Sequence, residues 1–344
     1  MQSNESKQMH ILALLKKFPH PLKRYNWLAG AEIYLLRVLQ ALQADGHRVE
    51  VYVNDVRPPA VVEGIRTFGK HLPTIDAMCA DLFLTQAHYE CTQWAMDVAA
   101  EFRKPLVHCI HAEFSIEDFK IDRSAALFVF NSQWVERASR GRRQPSIPWT
   151  VCRPPVSREG YRTSTPLPGR THIGFVNPNP IKGGDILYHT AQAMPDFPFL
   201  VMTGAYGEQE RQLSELPNVQ ILLPSDNMKE DFYARIRVLF VPSKVETWGM
   251  VATEALMSGI PVVATGTEGL RENLGYAGYF VEPARRENLN YWVQPLTELM
   301  CSDEYWALWN EKAWVRGLEL NPEFDLKNLI AQLHHVAENW KLRN

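Results

Sequence analysis

Cysteine is scarce in this sequence of 344 residues, and its placement excludes two classes of structure. The five cysteines lie far apart and form no C-x-x-C pair: Cys79, Cys91, Cys109, Cys152 and Cys301. An odd number of scattered cysteines argues against a disulfide framework and against a cysteine zinc site. We therefore expect a protein of a reducing compartment, the cytoplasm.

Long apolar runs and a strong net charge are missing as well. No apolar stretch approaches the roughly 20 residues that a membrane-spanning helix needs. The polar first segment, MQSNESKQMH, leads directly into a strand pattern, so we expect no signal peptide. The formal net charge of −3 gives no reason to expect a nucleic-acid partner.

The charge is unevenly distributed along the chain. Residues 1–165 hold 21 Lys and Arg against 17 Asp and Glu, and the remainder holds 15 against 22, so the halves carry +4 and −7. Two basic runs lie in the first half, KKFPHPLKRYNW (16–27) and RASRGRRQ (137–144). Such runs are solvated faces, or they contact an anionic ligand or an anionic membrane surface. The membrane alternative predicts peripheral contact of the basic N-terminal half at the inner face of the membrane.

Short apolar runs alternate with longer helical patterns throughout the chain, as in parallel α/β proteins. The strand candidates are residues 10–15, 47–53, 81–86, 105–111 and 126–132, then 171–177, 197–204, 218–224, 238–243, 260–266 and 278–283. A stretch rich in Pro, Arg, Ser and Thr, residues 140–170, separates the two series and predicts a domain boundary.

We therefore predict two doubly wound, Rossmann-like domains whose parallel sheets face a central cleft. The N-terminal domain is predicted to comprise residues 1–155, and the C-terminal domain residues 156–325. Residues 326–344 are predicted to form a helix that packs back toward the N-terminal domain. Ligands of doubly wound sheets bind beyond the carboxyl ends of the strands.

The segment SKVETWGMVATEALMSGIPVVA (243–264) carries most of the chemical information. A strand ends at Ser243, and a helix is predicted from about Gly249 to Ser258. Because the helix follows the strand directly, its N-terminus lies at the carboxyl edge of the sheet. The unpaired amides of its first turn form an anion site suited to phosphate: Gly249, Met250 and Val251.

Glu246 and Glu254 stand among apolar residues in this segment. One interpretation is that both are solvated surface acids, although the helix has few other polar residues. A pair of hydrolytic carboxylates needs roughly 5–9.5 Å between the two groups. Eight residues of helix span roughly 12 Å, which disfavours a glycosidase. The spacing better suits two acceptors for different hydroxyl groups of one long ligand.

The segment resembles the E-x7-E motif of retaining, GT-B-fold glycosyltransferases of family 4 (glycosyl transferases group 1). Further matches follow in the family's order over nearly the whole chain: WLAGAE (27–32), GHRVEV (46–51), VHCIHA (107–112), GFVNPNPIKGGD (174–185) and VPS (241–243). The resemblance implies transfer of a sugar from a nucleotide-diphosphate sugar to an acceptor hydroxyl, with retention of configuration. It also implies that the N-terminal domain binds the acceptor, with the two basic runs as candidate contacts if that acceptor is anionic, and that the C-terminal domain binds the nucleotide-sugar donor. The implied acceptor is a glycan, a lipid-linked saccharide or a natural product.

The resemblance implies roles for three residues of the predicted C-terminal domain. Glu246 would bond hydroxyls of the donor sugar, Glu254 would bond the ribose, and Lys182 would neutralise the leaving diphosphate. From the residues alone, a lysine in a loop of Gly, Pro and Asn is usually solvated. Four backbone amides would contact the sugar and the diphosphate: Trp248, Gly249, Met250 and Val251.

The resemblance also implies contacts from the predicted N-terminal domain. Gly30 lies where the chain turns into the first helix, and its backbone would approach the diphosphate and the reacting sugar. Without the resemblance it is an ordinary glycine of a helix-start loop. His111 ends an apolar strand and would contact the transferred sugar. Its alternative is a purely structural role, as for His108 in the same strand.

The rest of the implied donor site is less closely matched. The family usually has an arginine five residues before the lysine, within a G-R pair, but this chain has Val176 and Asn177 there. Asn177 therefore takes the donor-binding position without a positive charge. Gly204 and Leu223 lie in segments that hold the nucleobase in the family, through backbone contacts that do not identify the base.

No cofactor and no metal are expected beyond the donor itself. The sequence has no D-x-D and no His, Asp and Glu cluster with the spacing of metal ligands. Lys182 and a helix dipole would act where other transferases use a metal ion. Two alternatives stay open: a nucleotide-sugar epimerase or hydrolase of the same fold, and a non-catalytic nucleotide- or glycan-binding module. The donor base, the sugar, the acceptor and the oligomeric state are not specified by the sequence.

Overall fold

The structure is a computed structural model that describes residues 8–19, 29–87, 89–112, 125–142, 147–204 and 207–343. The chain divides into two compact units, with its main crossings between them at Pro155–Val156 and at Pro322–Glu323. The first unit contains residues 8–19, Gly30–Pro155 and the chain from Glu323 onwards, and the second contains Ala29 and Val156–Pro322.

The described part of the first unit contains an eight-stranded sheet. Its strands are β1 His10–Leu15, β2 Arg48–Val53, β3 Ala60–Val62, β4 Ile65–Phe68, β5 Leu82–Gln86, β6 Leu106–Ile110, β7 Ala125–Phe130 and β8 Trp149–Val151. Their order in the sheet is β3-β4-β2-β1-β5-β6-β7-β8, and only the edge pair β3–β4 is antiparallel. Every residue of the central β1, HILALL, is buried, as expected for a parallel strand covered by helices on both faces.

Four of the described α-helices of the first unit connect these strands: Gly30–Ala44, Thr74–Cys79, Tyr89–Phe102 and Gln133–Arg142. A fifth, Glu323–Arg343, follows the second unit along the chain. The chain turns out of the first of them at Gly46, whose φ of +93° is the left-handed conformation typical of a residue after a helix. The last helix begins at Glu323, directly after Pro322, three residues before the predicted start at 326.

The second unit contains a six-stranded, fully parallel sheet. Its strands are β9 His172–Val176, β10 Phe199–Met202, β11 Val219–Leu222, β12 Ile236–Val241, β13 Val262–Thr265 and β14 Gly278–Val281, in the order β11-β10-β9-β12-β13-β14. Its α-helices are Arg158–Tyr161, Gly184–Ala193, Met250–Met257, Glu268–Leu274, Asn290–Cys301 and Asp303–Glu319, and Lys229–Tyr233 is a π-helix. Successive strands are added outward from β9 to β11, and the chain then returns to place β12 beside β9.

These two sheets confirm the predicted α/β fold class. The sequence patterns missed the short strands β3, β4 and β8. The β3–β4 hairpin turns through Glu63 and Gly64, at φ +51° and +80°, as in a type I′ turn. An Asn-Gly or Asp-Gly pair is the usual sequence signal for such a turn, and Glu-Gly does not give it.

An ion pair near the start of the C-terminal helix joins this helix to the segment that follows β8. The guanidinium of Arg153 donates to both carboxylate oxygens of Asp325, at 2.6 and 3.0 Å, and the Arg153 amide donates to the same carboxylate at 3.0 Å. Further along the helix, Asn328 donates to the hydroxyl of Thr150 at 2.8 Å, and the indole of Trp340 donates to a carbonyl at 2.8 Å. The helix is therefore part of the first unit's structure.

We expect Asp325→Ala to lower the free energy of unfolding of the first unit by about 2 kcal/mol, because it removes a bidentate pair and a bond to a backbone amide. Urea unfolding of the variant measures this loss. Glu323→Ala is the control, since its pair with Lys327 joins two side chains that are at least 70% exposed and contributes less than about 0.5 kcal/mol. Equal losses of unfolding free energy in the two variants would contradict the stabilising role assigned to the pair of Arg153 and Asp325.

Candidate functional site

The predicted site residues of the second unit follow strands that are neighbours in its sheet. Asn177 follows β9, Gly204 follows β10, Leu223 follows β11, and Glu246 lies in the loop after β12. Since all these strands are parallel, the four residues lie at the same edge of the sheet, where the strands have their carboxyl ends. The chain reverses its direction of strand addition between β9 and β12, which is where doubly wound folds bind ligands.

Lys182 and Glu246 meet at this reversal point. The Lys182 Nζ lies 2.6 Å from the Glu246 Oε1, and the hydroxyl of Ser243 donates to the same carboxylate oxygen at 3.2 Å. The side chains are 21% and 9% exposed, respectively. Neither residue is therefore a freely solvated surface charge, and the two form a partly buried ion pair at the predicted ligand edge.

The loop that carries Lys182 is held by hydrogen bonds on several sides. The side-chain Oδ1 of Asn179 accepts from the amides of Ile181 and Lys182, at 3.0 and 2.9 Å. The amide of Lys244 donates to the Ile181 carbonyl at 2.8 Å, which joins this loop to the loop of Glu246. Asn179 has no distinguishing sequence signal, because an asparagine between two prolines resembles an ordinary turn residue.

A glycine brings the lysine loop against the end of β12. Gly183 has φ of +88°, and a Cβ there would lie 2.5 Å from the carbonyl oxygen of Pro242. The buried Arg286 donates to the same carbonyl at 2.7 Å and contacts Asp185 at 3.3 Å. Arg286 therefore links the backbone after β12 to the side chain of Asp185, which follows the lysine loop. The sequence did not indicate this role, because Arg286 lies far from both residues along the chain.

The helix after Glu246 begins as predicted. Met250–Met257 is an α-helix, and Gly249 precedes it in the left-handed conformation, φ +83° and ψ +68°. A Cβ at Gly249 would lie 2.7 Å from the Cδ2 of Leu270, so this position requires glycine for both conformation and space. Within the described residues, no acceptor is found for three consecutive amides: Gly249, Met250 and Val251.

A buried polar network lies on the inner side of this turn. The carboxamide of Asn273 donates to the carbonyls of Trp248 and Gly249, at 2.9 and 3.0 Å. Its oxygen accepts from the hydroxyl of Thr253 at 3.1 Å, and that hydroxyl accepts from the indole of Trp248 at 3.0 Å. The sequence did not reveal Asn273, which lies in the next helix, Glu268–Leu274.

Glu254 is buried and has an aromatic partner. The hydroxyl of Tyr233 donates to the Glu254 Oε2 at 2.8 Å, and Tyr233 is fully buried. Tyr233 ends the π-helix, which is closed by a hydrogen bond from the amide of Ala234 to the carbonyl of Lys229 at 2.8 Å. The interpretation of Glu254 as a solvated acid is therefore wrong, and Tyr233 is a residue that the sequence analysis missed.

Asn177 and Gly204 lie in direct contact. Asn177 is buried and has φ of +62°, an uncommon conformation that asparagine tolerates. A Cβ at Gly204 would lie 2.0 Å from the Asn177 Cγ, so only glycine fits there. Gln209 joins the two, because it donates to the Asn177 Oδ1 at 2.9 Å and accepts from the Gly204 amide at 3.0 Å. Leu223 is 80% exposed at the end of the edge strand.

Two predicted residues belong to the first unit. Gly30 is the first residue of the helix Gly30–Ala44 and is exposed. His111 follows β6, and its ring packs edge-on against Tyr34 with 4.8 Å between ring centroids. Its Nε2 is buried and has no hydrogen-bond partner within the described residues. Burial lowers the pKa of His111 to about 4, so the ring is neutral at pH 7.

Half of the residues in the two predicted basic runs fall outside the described residues. Positions 20–27 of the first run and 143–144 of the second are not described. Neither are positions 27–28 of the WLAGAE match or positions 205–206, which directly follow Gly204. Among the described helices, none has both the length and the apolar character needed to cross a bilayer. The peripheral membrane contact stays a prediction.

The described ranges also contain no group of three His, Cys, Asp or Glu side chains arranged to hold a metal ion. The groups that can meet an anion at the carboxyl edge of the second sheet are Lys182 and the amides of the turn at Gly249. The groups that can accept from hydroxyls there are Glu246 and Glu254. This set is complementary to a ligand that combines phosphate with several hydroxyl groups.

Comparison with known sequences finds a match to a family model within this unit. Residues 170–297 match the sequence model of the family Glycosyl transferases group 1. Over 133 residues the chain is 34% identical to the D-inositol 3-phosphate glycosyltransferase of Mycobacterium sp. (strain KMS). That match covers 34% of this chain and 29% of the relative, so the chain spans less than a third of the relative's length.

Comparison with solved structures extends the likeness to both units. Sucrose-phosphate synthase from Thermosynechococcus elongatus has a TM-score of 0.75 at 17% identity, over 95% of this chain and 98% of its own. Anabaena HepE, in a complex with UDP-glucose, has a TM-score of 0.74 at 19% identity, over 97% of this chain and 100% of its own. The fold is therefore the predicted GT-B type, built from two Rossmann-like units.

The lowered pKa of His111 predicts a pH-dependent stability. In the unfolded chain a histidine binds a proton near pH 6.5, whereas folded His111 does so only near pH 4. Between these values the unfolded state holds more protons, so folding stability falls as the pH drops, by at most about 1.4 kcal/mol per pH unit. Above pH 6.5 this contribution does not change.

Urea unfolding of the unaltered chain and of His111→Gln between pH 7.5 and 5 measures this effect. The variant should lose less stability on acidification than the unaltered chain. Burial and the neighbouring His334 also lower the pKa of His47, but that contribution is present in both proteins and cancels from the difference. Identical pH profiles would show that His111 titrates normally.

Proposed function

We propose that this chain, whose residues 170–297 are a glycosyl transferases group 1 domain, transfers a sugar from a nucleotide-diphosphate sugar to an acceptor hydroxyl. The observation that carries the proposal is the pair of Lys182 and Glu246, 2.6 Å apart at the reversal point of the second sheet. Beside it, a helix begins with three amides that have no acceptor in the described residues. A cation, a carboxylate and a helix N-terminus at one edge match a sugar joined to a diphosphate.

The ion pair holds the side chains of Lys182 and Glu246 at the place where the donor would bind. A phosphate oxygen can replace Glu246 as the partner of Lys182, which leaves the carboxylate to accept from sugar hydroxyls. Lys182 then compensates the charge that develops on the diphosphate as the bond to the sugar breaks. Because Asn179 and Arg286 hold the surrounding loop, little reorganisation accompanies this exchange.

Glu254 is proposed to accept from the ribose hydroxyls. Its carboxylate is already oriented by the Tyr233 hydroxyl at 2.8 Å, and it lies on the same helix whose first turn would bind the diphosphate. Glu246 precedes that turn and Glu254 follows it. One donor would therefore be bound at its sugar, its diphosphate and its ribose by a single loop and helix.

Retention of configuration is the stereochemical part of the proposal, and it rests on the family resemblance. The proposed mechanism uses no side chain of the described site as a covalent nucleophile. The acceptor would therefore attack the donor sugar from the same face from which the diphosphate departs. His111 and Gly30 stay predictions as contacts to the transferred sugar. Because burial keeps His111 neutral at pH 7, its role would be a hydrogen bond and not general-acid catalysis.

The acceptor and the exact donor are also proposals. UDP-sugars are the first donors to test, because HepE was crystallised with UDP-glucose. Inositol phosphate belongs in the acceptor panel because the mycobacterial relative is named for it. Lipid-linked saccharides complete the panel, together with anionic vesicles that test the predicted peripheral membrane contact.

We expect Lys182→Ala and Glu246→Gln each to lower kcat/KM for transfer by a factor of about 100 to 1,000, as for other lost transition-state contacts. Lys244→Ala is the matched control, since its side chain is 47% exposed and lies 3.8 Å from Asp185. It should change the rate less than about threefold. The measurement is release of nucleoside diphosphate in the presence of acceptor.

The double variant of Lys182 and Glu246 adds a further test. Because the two residues act on one donor, their effects should be much less than additive. Near-normal turnover of either single variant would exclude the proposed mechanism. Full-rate sugar release without acceptor would identify a hydrolase, and donor binding without turnover on any acceptor would identify a binding module.

Transfer is expected to proceed without a divalent metal, because Lys182 and the helix N-terminus supply the positive potential at the diphosphate. Treatment with excess EDTA should leave the rate within about twofold of the untreated protein. The product should show the donor's anomeric configuration by proton NMR. A rate that falls with EDTA and returns with Mg²⁺, or an inverted product, would contradict these two parts of the proposal.

A further inference from the structure

Two successive carbonyl groups of the turn between Trp248 and Met250 accept from one buried side chain, and the second of them, that of Gly249, also accepts from the amide of Ala252 at 2.9 Å. The Nδ2 of Asn273 donates to the carbonyl of Trp248 at 2.9 Å and to the carbonyl of Gly249 at 3.0 Å. We propose that Asn273 is a positioning residue for donor binding, because it orients two successive peptide groups of the diphosphate site. This inference rests on the proposed function.

The geometry of the peptide group links those carbonyls to the amides of the site. A trans peptide group is planar, and its C=O and N–H point in opposite directions. The carbonyl of Trp248 shares a peptide group with the amide of Gly249, and the carbonyl of Gly249 shares one with the amide of Met250. Since Asn273 draws both carbonyls inward, both N–H groups point to the opposite side of the turn.

The backbone conformation gathers these amides into one concave surface. Gly249 is left-handed, φ +83° and ψ +68°, and Met250 begins a right-handed helix. This succession brings consecutive N–H groups together into an anion-binding nest. Within the described residues, the amides of Gly249, Met250 and Val251 have no acceptor, so they are available to an anion.

The orientation of the Asn273 carboxamide is itself fixed. Its Oδ1 accepts from the Thr253 hydroxyl at 3.1 Å, and the same hydroxyl accepts from the Trp248 indole at 3.0 Å. Trp248, Thr253 and Asn273 are 2%, 1% and 0% exposed. Rotation of the carboxamide by half a turn would leave several buried donors and acceptors without partners. The free-energy cost of these unsatisfied groups exceeds the contribution of any single hydrogen bond that the rotation could form.

A purely structural role is the competing explanation, and the chain contains a control for it. Asn218 also uses its Nδ2 to hold backbone carbonyls of the second unit, those of Ala191, Met194 and Phe197, at 3.0 to 3.1 Å. It directly precedes β11, so it lies at the amino edge of the sheet, away from the carboxyl edge. Its loss removes comparable bonds without changing the diphosphate site.

The experiment measures nucleotide binding by calorimetry to the full chain, Asn273→Ala and Asn218→Ala. The probe is whichever of UDP, GDP, ADP and dTDP raises the Tm of the unaltered chain most, and the corresponding nucleoside is the second ligand. Asn273→Ala should bind the diphosphate about 10 to 100 times more weakly, as expected for two impaired charge-assisted hydrogen bonds. Its affinity for the nucleoside should change less than about threefold, and Asn218→Ala should bind both like the unaltered chain.

A second pair of variants tests the same network if Asn273→Ala does not fold. Thr253→Val removes the hydroxyl that fixes the carboxamide and keeps the shape of the side chain, whereas Thr253→Ser keeps the hydroxyl. The valine variant should lose diphosphate affinity, and the serine variant should regain it.

Equal losses for the diphosphate and the nucleoside, or equal effects of Asn273→Ala and Asn218→Ala, would overturn the inference while leaving the proposed function intact. If no diphosphate binds the unaltered chain, the proposed function fails and this inference fails with it.

Discussion

The contact between Lys182 and Glu246 is the interaction around which the second unit's carboxyl edge is arranged. The two charges belong to loops that follow β9 and β12, which become neighbours only because the chain returns across the sheet. A partly buried charge without a partner is costly, so both loops must stay in register. Arg286 and Asn179 maintain that register through backbone groups, so the rigidity of the site comes mostly from the main chain and not from the two charged side chains.

The sequence predicted the location of a residue correctly wherever the local pattern and the topology of the sheet together determine that location. A buried strand followed by a helix start places the turn at Gly249 at the carboxyl edge, whatever the rest of the chain does. Lys182 and Glu246 were assigned to one ligand only through the family resemblance, and their contact at 2.6 Å is a finding of the structure. The fold class and the edge of the sheet that carries the candidate site were therefore predictable from apolar runs and glycines, before any side-chain contact was known.

The remaining parts of the site depend on contacts between residues distant in sequence. Asn273 lies 24 residues from Gly249, and Tyr233 lies 21 residues from Glu254. Nothing in their local sequences separates them from an ordinary helix asparagine or a core tyrosine. Asn177 is a residue that the sequence singled out for another reason, because the family usually has an arginine there. Its left-handed backbone conformation and its packing against Gly204 are known only from the structure.

The π-helix before β12 has a consequence for how this chain can change in length. Its wide turn, closed between Lys229 and Ala234, contains one residue more than an α-turn would. If one residue of the turn were deleted, Lys229 and Ala234 could still be hydrogen-bonded, now as an α-turn, and the chain after Ala234 could keep its place. The residues inside the turn would be redistributed, however, and the side chain of Tyr233 would no longer be held in the direction of Glu254. A change of length that the backbone accepts at this point would therefore still cost the site a contact.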